Sequence, residues 1–455
     1  MKNNLGVNEP RLGWFEDGLP NDVTPQTATM LIDDGEQIVL HVPWHSPEFG
    51  GFGQIERWFS AGAIYEDDPN GKIYTYSPPG EILFHDPFGS ISLIGCTGVG
   101  FNSNPVRGIG KGKISVGAAI LGARHFGYEK INGMRTEIKA ISRWLDVSSV
   151  QKTYRRGEFG RMESVQVTGS KLEPIKIHKK MNLRVVPSWQ SGGDGPGVTY
   201  VRDKIFLETR IKKPSDWRVH LELHGAFRDL VRISSWDPVG YDGIKVLRDA
   251  DAEEGFDGGE RIDRWCDLRS HTVVGYNSTP ADNQRSWFTF RDVQSRGFAR
   301  WEKIRVDYAR GINPIMATLE SDDWPIETKF VNAMIGLEAI AFTAIMESGA
   351  PKKDVANIAI GTRLQHLSEK LYVNFLPDDW HRECAYVYNG IKHANRQYPE
   401  FDPIITNYYR AILLFRVWVC QRLGIPRARI WSRLEYDPMM MHLETQNAVN
   451  PVNDW

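Results

Sequence analysis

The chain has 455 residues, of which 41% are hydrophobic and 25% are charged, and its formal net charge is −2. The length predicts two or three domains, and the composition is typical of a soluble globular protein. The near-neutral charge excludes a general polycation, so contact with nucleic acid would have to come from a local basic patch.

The four cysteines, Cys96, Cys266, Cys384 and Cys420, are far apart and form no CxxC pair. This spacing argues against a disulfide framework or a cysteine zinc site, and it fits a reducing, cytoplasmic compartment. No stretch approaches the roughly 18 uninterrupted apolar residues of a membrane span. The N-terminus also lacks the apolar core of a signal peptide. We therefore expect a cytoplasmic protein without a membrane partner.

The first 320 residues predict a β-rich domain with a sandwich or barrel-like sheet. Short stretches rich in Ile, Val, Tyr and Thr alternate with turn clusters such as Asp33-Asp34-Gly35, which is the pattern of short strands. The predicted strands cover residues 28–32, 37–42, 72–76, 81–85, 91–94, 113–118, 165–168 and 198–207.

One long helix interrupts this pattern near residues 215–235. Ser215 or Asp216 can cap its start, and apolar residues such as Trp217, Leu221 and Phe227 recur at helical spacing. Beyond this helix, residues 287–293 predict a further strand, and residues 301–308 predict an amphipathic segment.

From Ile326 onwards the apolar period is helical. Four helices are predicted at 328–347, 352–373, 379–396 and 403–423, with breaks where proline or glycine cannot continue a helix. Short loops between them favour an antiparallel four-helix bundle over residues 326–430. Residues 431–455 predict an irregular tail. The fold class is thus α+β and multidomain.

The third of these helices carries the strongest candidate for a site. Asn389, His393 and Arg396 follow the i, i+4, i+7 spacing, so a continuous helix would place them on one face. Histidine exchanges protons near neutral pH, and amide and guanidinium groups bind phosphate. Such a face could cleave a phosphodiester without a metal. On periodicity alone, a solvated surface position explains His393 better than a catalytic role.

Two other patterns have a functional and a structural interpretation. His220 and His224 have the spacing of a helical metal pair, although packing of the helix against the sheet explains them better. A basic run, Lys152, Arg155, Arg156 and Arg161, is interleaved with aromatic residues. It could contact RNA or another ligand, and a charged hairpin in water is the more common explanation.

The sequence resembles the ApeA family of bacterial anti-phage proteins over nearly its whole length. In the C-terminal part the resemblance rests on residues 330–338, 362–364, 388–395 and 413–424, which are similar to a HEPN bundle. In the N-terminal part it rests on Gly13-Trp14-Phe15, the turn at 122–126 and the helix near 220–233.

The resemblance implies a ribonuclease site, because HEPN ribonucleases carry an Arg-x4–6-His motif, often with Asn after the Arg. Asn389 and His393 match this motif, whereas Tyr388 occupies the Arg position. Arg is permanently charged and binds phosphate in a bidentate fashion, and Tyr is neutral. The expected catalytic residues are His393, Asn389 and Arg396. The expected substrate-binding residues are Lys392, Tyr388 and Arg382, the last from a dimer partner.

Two functions follow from the resemblance. The first is an anti-phage endoribonuclease that needs no metal or cofactor, works as a homodimer on RNA, and is controlled by an N-terminal sensor of a phage-derived trigger. The second is a non-catalytic HEPN module for dimerisation or for binding RNA or protein, with a degenerate site because Tyr388 replaces the motif Arg.

Overall fold

The computed structural model describes residues 3–18, 28–45, 53–59, 66–104, 106–138, 141–253, 261–271, 273, 286–320, 323–371 and 375–449. A β-rich N-terminal part is followed by a helical C-terminal part. The predicted fold class is confirmed at this level.

Sixteen strands lie in the described part of the chain. They are β1 Arg11–Glu16, β2 Thr29–Asp33, β3 Ile38–His45, β4 Glu81–Asp86, β5 Gly89–Ile94, β6 Thr97–Asn104, β7 Ile109–Val116, β8 Ala118–Leu121, β9 Lys130–Ile138, β10 Val150–Arg156, β11 Met162–Gly169, β12 Ile175–His178, β13 Leu183–Gly195, β14 Val198–Asp216, β15 Tyr241–Leu247 and β16 Trp265–Arg269.

Fourteen of these strands form one sheet in the order β12-β13-β14-β9-β15-β16-β8-β5-β4-β1-β2-β3-β7-β6, and every pairing is antiparallel. The strands β10 and β11 form a separate hairpin. Side chains of β1 alternate strictly between buried and exposed, which is the period of a sheet with one face on a core.

Twelve α-helices lie in the same described part. They are α1 Gln54–Trp58, α2 Ile141–Leu145, α3 Trp217–Ser235, α4 Phe290–Asp307, α5 Ala309–Ala317, α6 Ile326–Glu347, α7 Lys352–Ala356, α8 Ile360–Leu371, α9 Trp380–Lys392, α10 Phe401–Leu423, α11 Arg427–Leu434 and α12 Pro438–Val449. The helix predicted near 215–235 is confirmed as α3, and Asp216 caps it by accepting a hydrogen bond from the backbone N–H of Arg218.

Two predicted strands are wrong for identifiable reasons. Residues 72–76 do not form a strand, because the buried carboxylate of Asp68 accepts hydrogen bonds from the backbone N–H groups of Lys72 and Tyr74 and holds them in a turn. Residues 287–293 run into α4 instead, because Thr289 starts a helix there. Its backbone N–H donates to the Asp292 carboxylate at 2.9 Å, as in a capping box.

The C-terminal predictions need three corrections. The segment 352–373 divides into α7 and α8, and the Arg363 side chain caps the end of α7 by donating to the carbonyls of Val355 and Ala356. The helix predicted at 379–396 ends at Lys392. In the tail predicted as irregular, the described residues 431–449 lie largely in α11 and α12, because prolines at the start of a helix are compatible with it.

The core does not divide at residue 320. One continuous cluster of buried side chains extends from Ile138 in the sheet, through Phe227 in α3, to Leu443 in α12. A second cluster lies under the first strands and includes Leu40 and Phe84. The described helices already begin with α4 and α5, before the predicted boundary, and the packing joins the second half of the sheet to the C-terminal helices.

Among the described helices, α6 alone has the length and apolar composition of a membrane span. Its buried residues belong to the core, and they include Phe330, Leu337 and Ile340. One side of α6 thus contributes to the core.

Candidate functional site

The helix α9 presents two different faces. Arg382, Tyr386 and Asn389 are spaced as i, i+4, i+7 and lie on the outer face. Arg382 is exposed, Tyr386 is 55% exposed and Asn389 is half-buried. Cys384 and Val387 lie on the inner face and are buried in the core. The amphipathic pattern of α9 thus fixes which side chains face solvent. Tyr386 was not among the predicted site residues, and its helical spacing from Arg382 was the available signal.

His393 follows the last residue of α9 and is extended rather than helical, with φ −117° and ψ 111°. Its backbone N–H donates to the Asn389 carbonyl at 3.0 Å, and the backbone N–H of Arg396 donates to the His393 carbonyl at 3.0 Å. The imidazole of His393 and the guanidinium of Arg396 belong to exposed residues. The chain therefore brings His393 and Arg396 together across a tight turn, and not along one helix face as the spacing predicted.

Gly390 explains why the chain turns at this point. A Cβ atom at Gly390 would lie 2.7 Å from the Gln397 carbonyl oxygen and 3.1 Å from Pro399 Cδ. The segment after His393 therefore folds back onto α9 at a position where only glycine leaves enough room. Pro399 also restricts the residue before it to extended backbone, which prevents a continuous helix into α10.

Tyr388, which the resemblance to HEPN proteins aligns with the motif Arg, lies in the core and is 4% exposed. The Lys392 ammonium lies 5.4 Å from the centre of its ring, within the range of a cation–π contact. Burial raises the pKa of the Tyr388 hydroxyl above its ordinary value, so the ring stays neutral at physiological pH. Tyr388 is therefore a core residue, and little of its surface is available for direct contact with a substrate.

Lys392, His393 and Arg396 lie at the end of α9, whereas Arg382 lies near its start. Arg382, Lys392, His393 and Arg396 are exposed, and none of them forms a salt bridge within the described ranges. By contrast, the more buried Arg363 and Arg410 of the same helical part pair with Glu338 and Glu383. Cations without a carboxylate partner remain available to a phosphate group.

The basic run lies on the hairpin of β10 and β11. Its side chains are exposed on both faces, and Phe159 at the turn is 97% exposed. One face alternates Lys152, Tyr154 and Arg156 and lies beside Val165 and Val167 on the neighbouring strand. The hairpin is therefore solvated, in agreement with the structural interpretation.

His220 and His224 lie in the interface between α3 and the sheet. The hydroxyl of Thr209 is hydrogen-bonded to His220 Nδ1 at 2.8 Å and to His224 Nε2 at 3.1 Å, and the hydroxyl of Thr136 is hydrogen-bonded to His224 Nδ1 at 2.7 Å. Burial lowers the pKa of His220 to about 4 and that of His224 to about 3. Both are neutral core residues, and no cluster suited to a metal occurs in the described part of the chain.

The geometry defines a large antiparallel β domain joined through a shared core to a helical part with an exposed histidine. Residues 14–303 match the family of the ApeA N-terminal domain 1. The chain belongs to this family, and the family indicates a role in bacterial anti-phage defence. The match ends before α5, so it does not cover the candidate site. No curated protein and no solved structure matches the chain.

Proposed function

We propose that the chain is a cytoplasmic anti-phage defence protein whose C-terminal helices form a HEPN-type bundle and cleave RNA without a metal. The observation that carries this proposal is the exposed pair of His393 and Arg396 across one turn, with Lys392 beside them and no salt-bridged carboxylate among the described residues. Family membership supports the defence role.

The cleavage would use the ribose itself as the nucleophile. His393 takes the proton of the 2′-hydroxyl, the 2′-oxygen attacks phosphorus, and the bond to the 5′-oxygen breaks as that oxygen takes a proton from water. The products are a 2′,3′-cyclic phosphate and a 5′-hydroxyl. Asn389 orients the phosphate, and Arg396 and Lys392 stabilise the charge that develops on its oxygens.

A homodimer would complete the site. Arg382 and His393 are eleven residues apart, roughly 16 Å if the chain continued at the rise of a helix, so Arg382 would serve His393 of a second copy. Exposed apolar side chains near α9 support such an interface: Ile335 on α6 is 42% exposed, and Tyr398 and Phe401 are exposed beside the turn. Apolar patches of this kind often mark contacts between proteins.

The N-terminal part would sense the infection and control the bundle. Arg416 of α10 donates hydrogen bonds to the carbonyls of Ile233 and Ser234 at the end of α3. This contact supports control, because a shift of α3 would reach α10 through buried groups.

The test compares wild-type protein with His393→Ala in phage-challenged cells and maps new RNA ends that carry 2′,3′-cyclic phosphate. His125→Ala is the matched control, since His125 is exposed in the N-terminal part. We expect new ends with the wild type and the control, and none with His393→Ala. Phage protection without RNA cleavage, unchanged by His393→Ala, would rule out the ribonuclease.

That second outcome would favour the alternative function, a non-catalytic HEPN module for dimerisation or binding. The burial of Tyr388 in the core is the observation in its favour, since the motif Arg has no charged substitute at its own position. Arg396→Ala and Arg396→Lys separate the two functions further. A ribonuclease that depends on a cation at Arg396 loses cleavage with Ala and keeps part of it with Lys.

A further inference from the structure

The hairpin of β10 and β11 is anchored to the large sheet at its base. The Ser149 N–H donates to Asp203 Oδ1 at 2.6 Å, and the Ser170 N–H donates to the Ser149 carbonyl at 2.8 Å. Beyond the base, residues 151–156 and 162–168 are all exposed. A two-stranded hairpin without further packing is only marginally stable in water. The hairpin thus has one fixed end and two open faces.

One face of the hairpin combines cations with apolar side chains. Lys152, Tyr154 and Arg156 share this face, because alternate residues of a strand point to the same side. Val167 and Val165 lie directly opposite Lys152 and Tyr154 on the neighbouring strand, and Tyr154 and Val165 are each more than half exposed. We call these five residues the basic-aromatic face. A charged hairpin in water accounts for the cations, but it does not account for this exposed apolar surface.

A second aromatic ring lies at the base of the basic-aromatic face. Gly169 belongs to this face by its register. A Cβ atom at Gly169 would lie 2.6 Å from Trp189 Cδ2, so the Trp189 ring packs against the backbone of the hairpin there. Trp189 is 42% exposed. From base to tip, an aromatic ring and a cation therefore alternate in the order Trp189, Lys152, Tyr154 and Arg156.

The charge of the hairpin is positive and concentrated on this face. Residues 150–169 contain four Lys or Arg and two Glu, which gives a net charge of +2. Among the cations of the hairpin, Arg155 alone has a carboxylate partner in the described part of the chain, at 3.7 Å in Glu163. Arg155 lies on the opposite face, because it is adjacent to Tyr154 and Arg156 in the strand. The charges of Lys152 and Arg156 are therefore available to an anionic partner.

The dimensions of the basic-aromatic face favour a nucleic acid over a protein as this partner. The seven residues of β10 span roughly 23 Å, and two strands are roughly 10 Å wide. The resulting area of about 230 Å² is well below the roughly 800 Å² that each partner contributes to a stable protein interface. A second copy of the chain would also bring the same positive charge. A nucleic acid strand needs no such area, because phosphates bind to single cations and bases stack on single rings.

We propose that the basic-aromatic face binds single-stranded RNA, with bases stacked on Tyr154 and Trp189 and with phosphates bound by Lys152 and Arg156. Stacking on an exposed ring requires unpaired bases, because a duplex keeps its bases stacked on each other. That the strand is RNA rather than DNA rests on the proposed function. The hairpin would thus give the N-terminal part a contact with the RNA that the C-terminal helices cleave.

The experiment is a fluorescence anisotropy titration of the full chain with a labelled, unstructured single-stranded RNA of roughly 12 nucleotides. The chain carries His393→Ala, so that the proposed cleavage cannot consume the probe. We expect saturable binding with a Kd between about 1 and 100 µM at 0.15 M salt. No saturable binding would overturn the proposal. Single-stranded DNA and duplex RNA of the same sequence should bind no more tightly, and tighter binding of either would overturn single-stranded RNA as the ligand.

Variants of Tyr154 test the stacking. Tyr154→Leu removes the ring and keeps an apolar side chain opposite Val165, and it should weaken binding at least fivefold. Tyr154→Phe keeps the ring and should bind like the parent chain. A loss of equal size in both variants would show that the ring is not used for stacking and would overturn this arrangement. Melting temperatures of the two variants verify that each is folded.

Variants of the cations test the face. Lys152→Gln and Arg156→Gln should each lower the slope of log K against log salt by about 0.7, since each removes one phosphate contact with a single strand. Arg155→Gln is the matched control, because it removes the same charge from the opposite face of the same hairpin. It should leave the slope unchanged. Equal changes in Arg155→Gln and Arg156→Gln would indicate unspecific attraction and overturn the basic-aromatic face as the site.

Arg396→Ala separates this proposal from the proposed ribonuclease. RNA binding that is lost with Arg396→Ala and retained with Tyr154→Leu would place the RNA at the end of α9 alone. That result would overturn the hairpin site and leave the proposed function intact. Binding that depends on Tyr154, together with a wild type that does not cleave RNA, would support the hairpin site and refute only the ribonuclease.

Discussion

Arg416 of α10 and Asp437, between α11 and α12, form a buried ion pair with Nη1 and Oδ2 2.5 Å apart. The same carboxylate oxygen accepts a hydrogen bond from Trp287 Nε1 at 2.8 Å, and the guanidinium carbon lies 3.8 Å from the centre of the Trp287 ring. The pair thus ties the last helices to the start of α4 and, through the carbonyls at the end of α3, to the N-terminal part.

Removing either partner should destabilise the whole protein. Arg416→Met or Asp437→Ala leaves an uncompensated charge in the core, which typically costs about 3–5 kcal/mol. The free energy of unfolding, from urea titration followed by circular dichroism, measures this cost. Arg422→Met is the control, because its ion pair with Glu347 is partly exposed, and its loss should cost no more than about 1 kcal/mol. Equal costs at both sites would contradict the role of burial.

Stability should fall as the pH is lowered below about 6.5 because of His220 and His224. Their pKa values in the folded protein, about 4 and about 3, lie below the ordinary value of 6.5. Between these values the unfolded chain binds protons that the folded protein excludes. The stability present at neutral pH is therefore lost towards the folded pKa values, with a slope of about 1.4 kcal/mol per pH unit for each histidine.

Urea unfolding at pH 7 and pH 5 measures this slope. His224→Gln should flatten the dependence, whereas His125→Gln, at an exposed position, should leave it as in the wild type. A slope that does not change in His224→Gln would show that other groups cause the dependence.

Two glycines in helices should respond to alanine in opposite directions. At Gly311 in α5 a Cβ atom would lie 2.8 Å from the Gly336 carbonyl oxygen and 2.5 Å from Ile340 Cγ1. Gly311→Ala should therefore destabilise the protein by about 1–3 kcal/mol. At Gly225 in α3 the new methyl group meets only the Tyr241 oxygen at 3.8 Å. Gly225→Ala should stabilise by about 0.5–1 kcal/mol through helix propensity. Thermal unfolding decides both signs.

Gly390→Ala should disturb the turn of His393 and Arg396 without unfolding the protein. The new Cβ atom would lie 2.7 Å from the Gln397 carbonyl oxygen, so the segment after α9 must move away. We expect faster amide hydrogen exchange at His393 and Arg396, whose N–H groups donate within this turn. If the proposed cleavage is correct, it should fall at least tenfold.

Gly225→Ala serves as the control for the exchange measurement, since it adds the same methyl group to a helix remote from the turn. Unchanged exchange at His393 in Gly390→Ala would show that the chain accommodates the methyl group and that the turn does not depend on the glycine.

The sequence alone predicts those helices and strands that are determined by residues close together in the chain. The strands around 81–85 and 91–94 and the helices α3, α6 and α10 follow from apolar period and capping. The end of α9 was missed, because it depends on the contact of Gly390 with residues that come seven and nine positions later. The sequence analysis predicts an irregular tail, whereas Pro426 precedes α11 and Pro438 is the first residue of α12, positions at which proline is compatible with a helix.

The candidate sites also differ in how far the sequence predicts them. The exposed position of His393 follows from its place at the end of an amphipathic helix. The position of Trp189 on the basic-aromatic face does not, because Trp189 and Gly169 meet only through the packing of the hairpin on the sheet. Contacts between segments that are distant in the chain cannot be recognised from the periodicity of a single sequence.

The shared core also bears on what a fragment of the protein could do. Because buried side chains run without a break from Ile138 to Leu443, a fragment that starts at α6 would expose the faces of α6 and α10 that α5 and α4 now contact. Proteolysis or interrupted synthesis would therefore yield an aggregation-prone remnant. If the proposed ribonuclease is correct, the fold would thus prevent the release of an active fragment without its regulatory part.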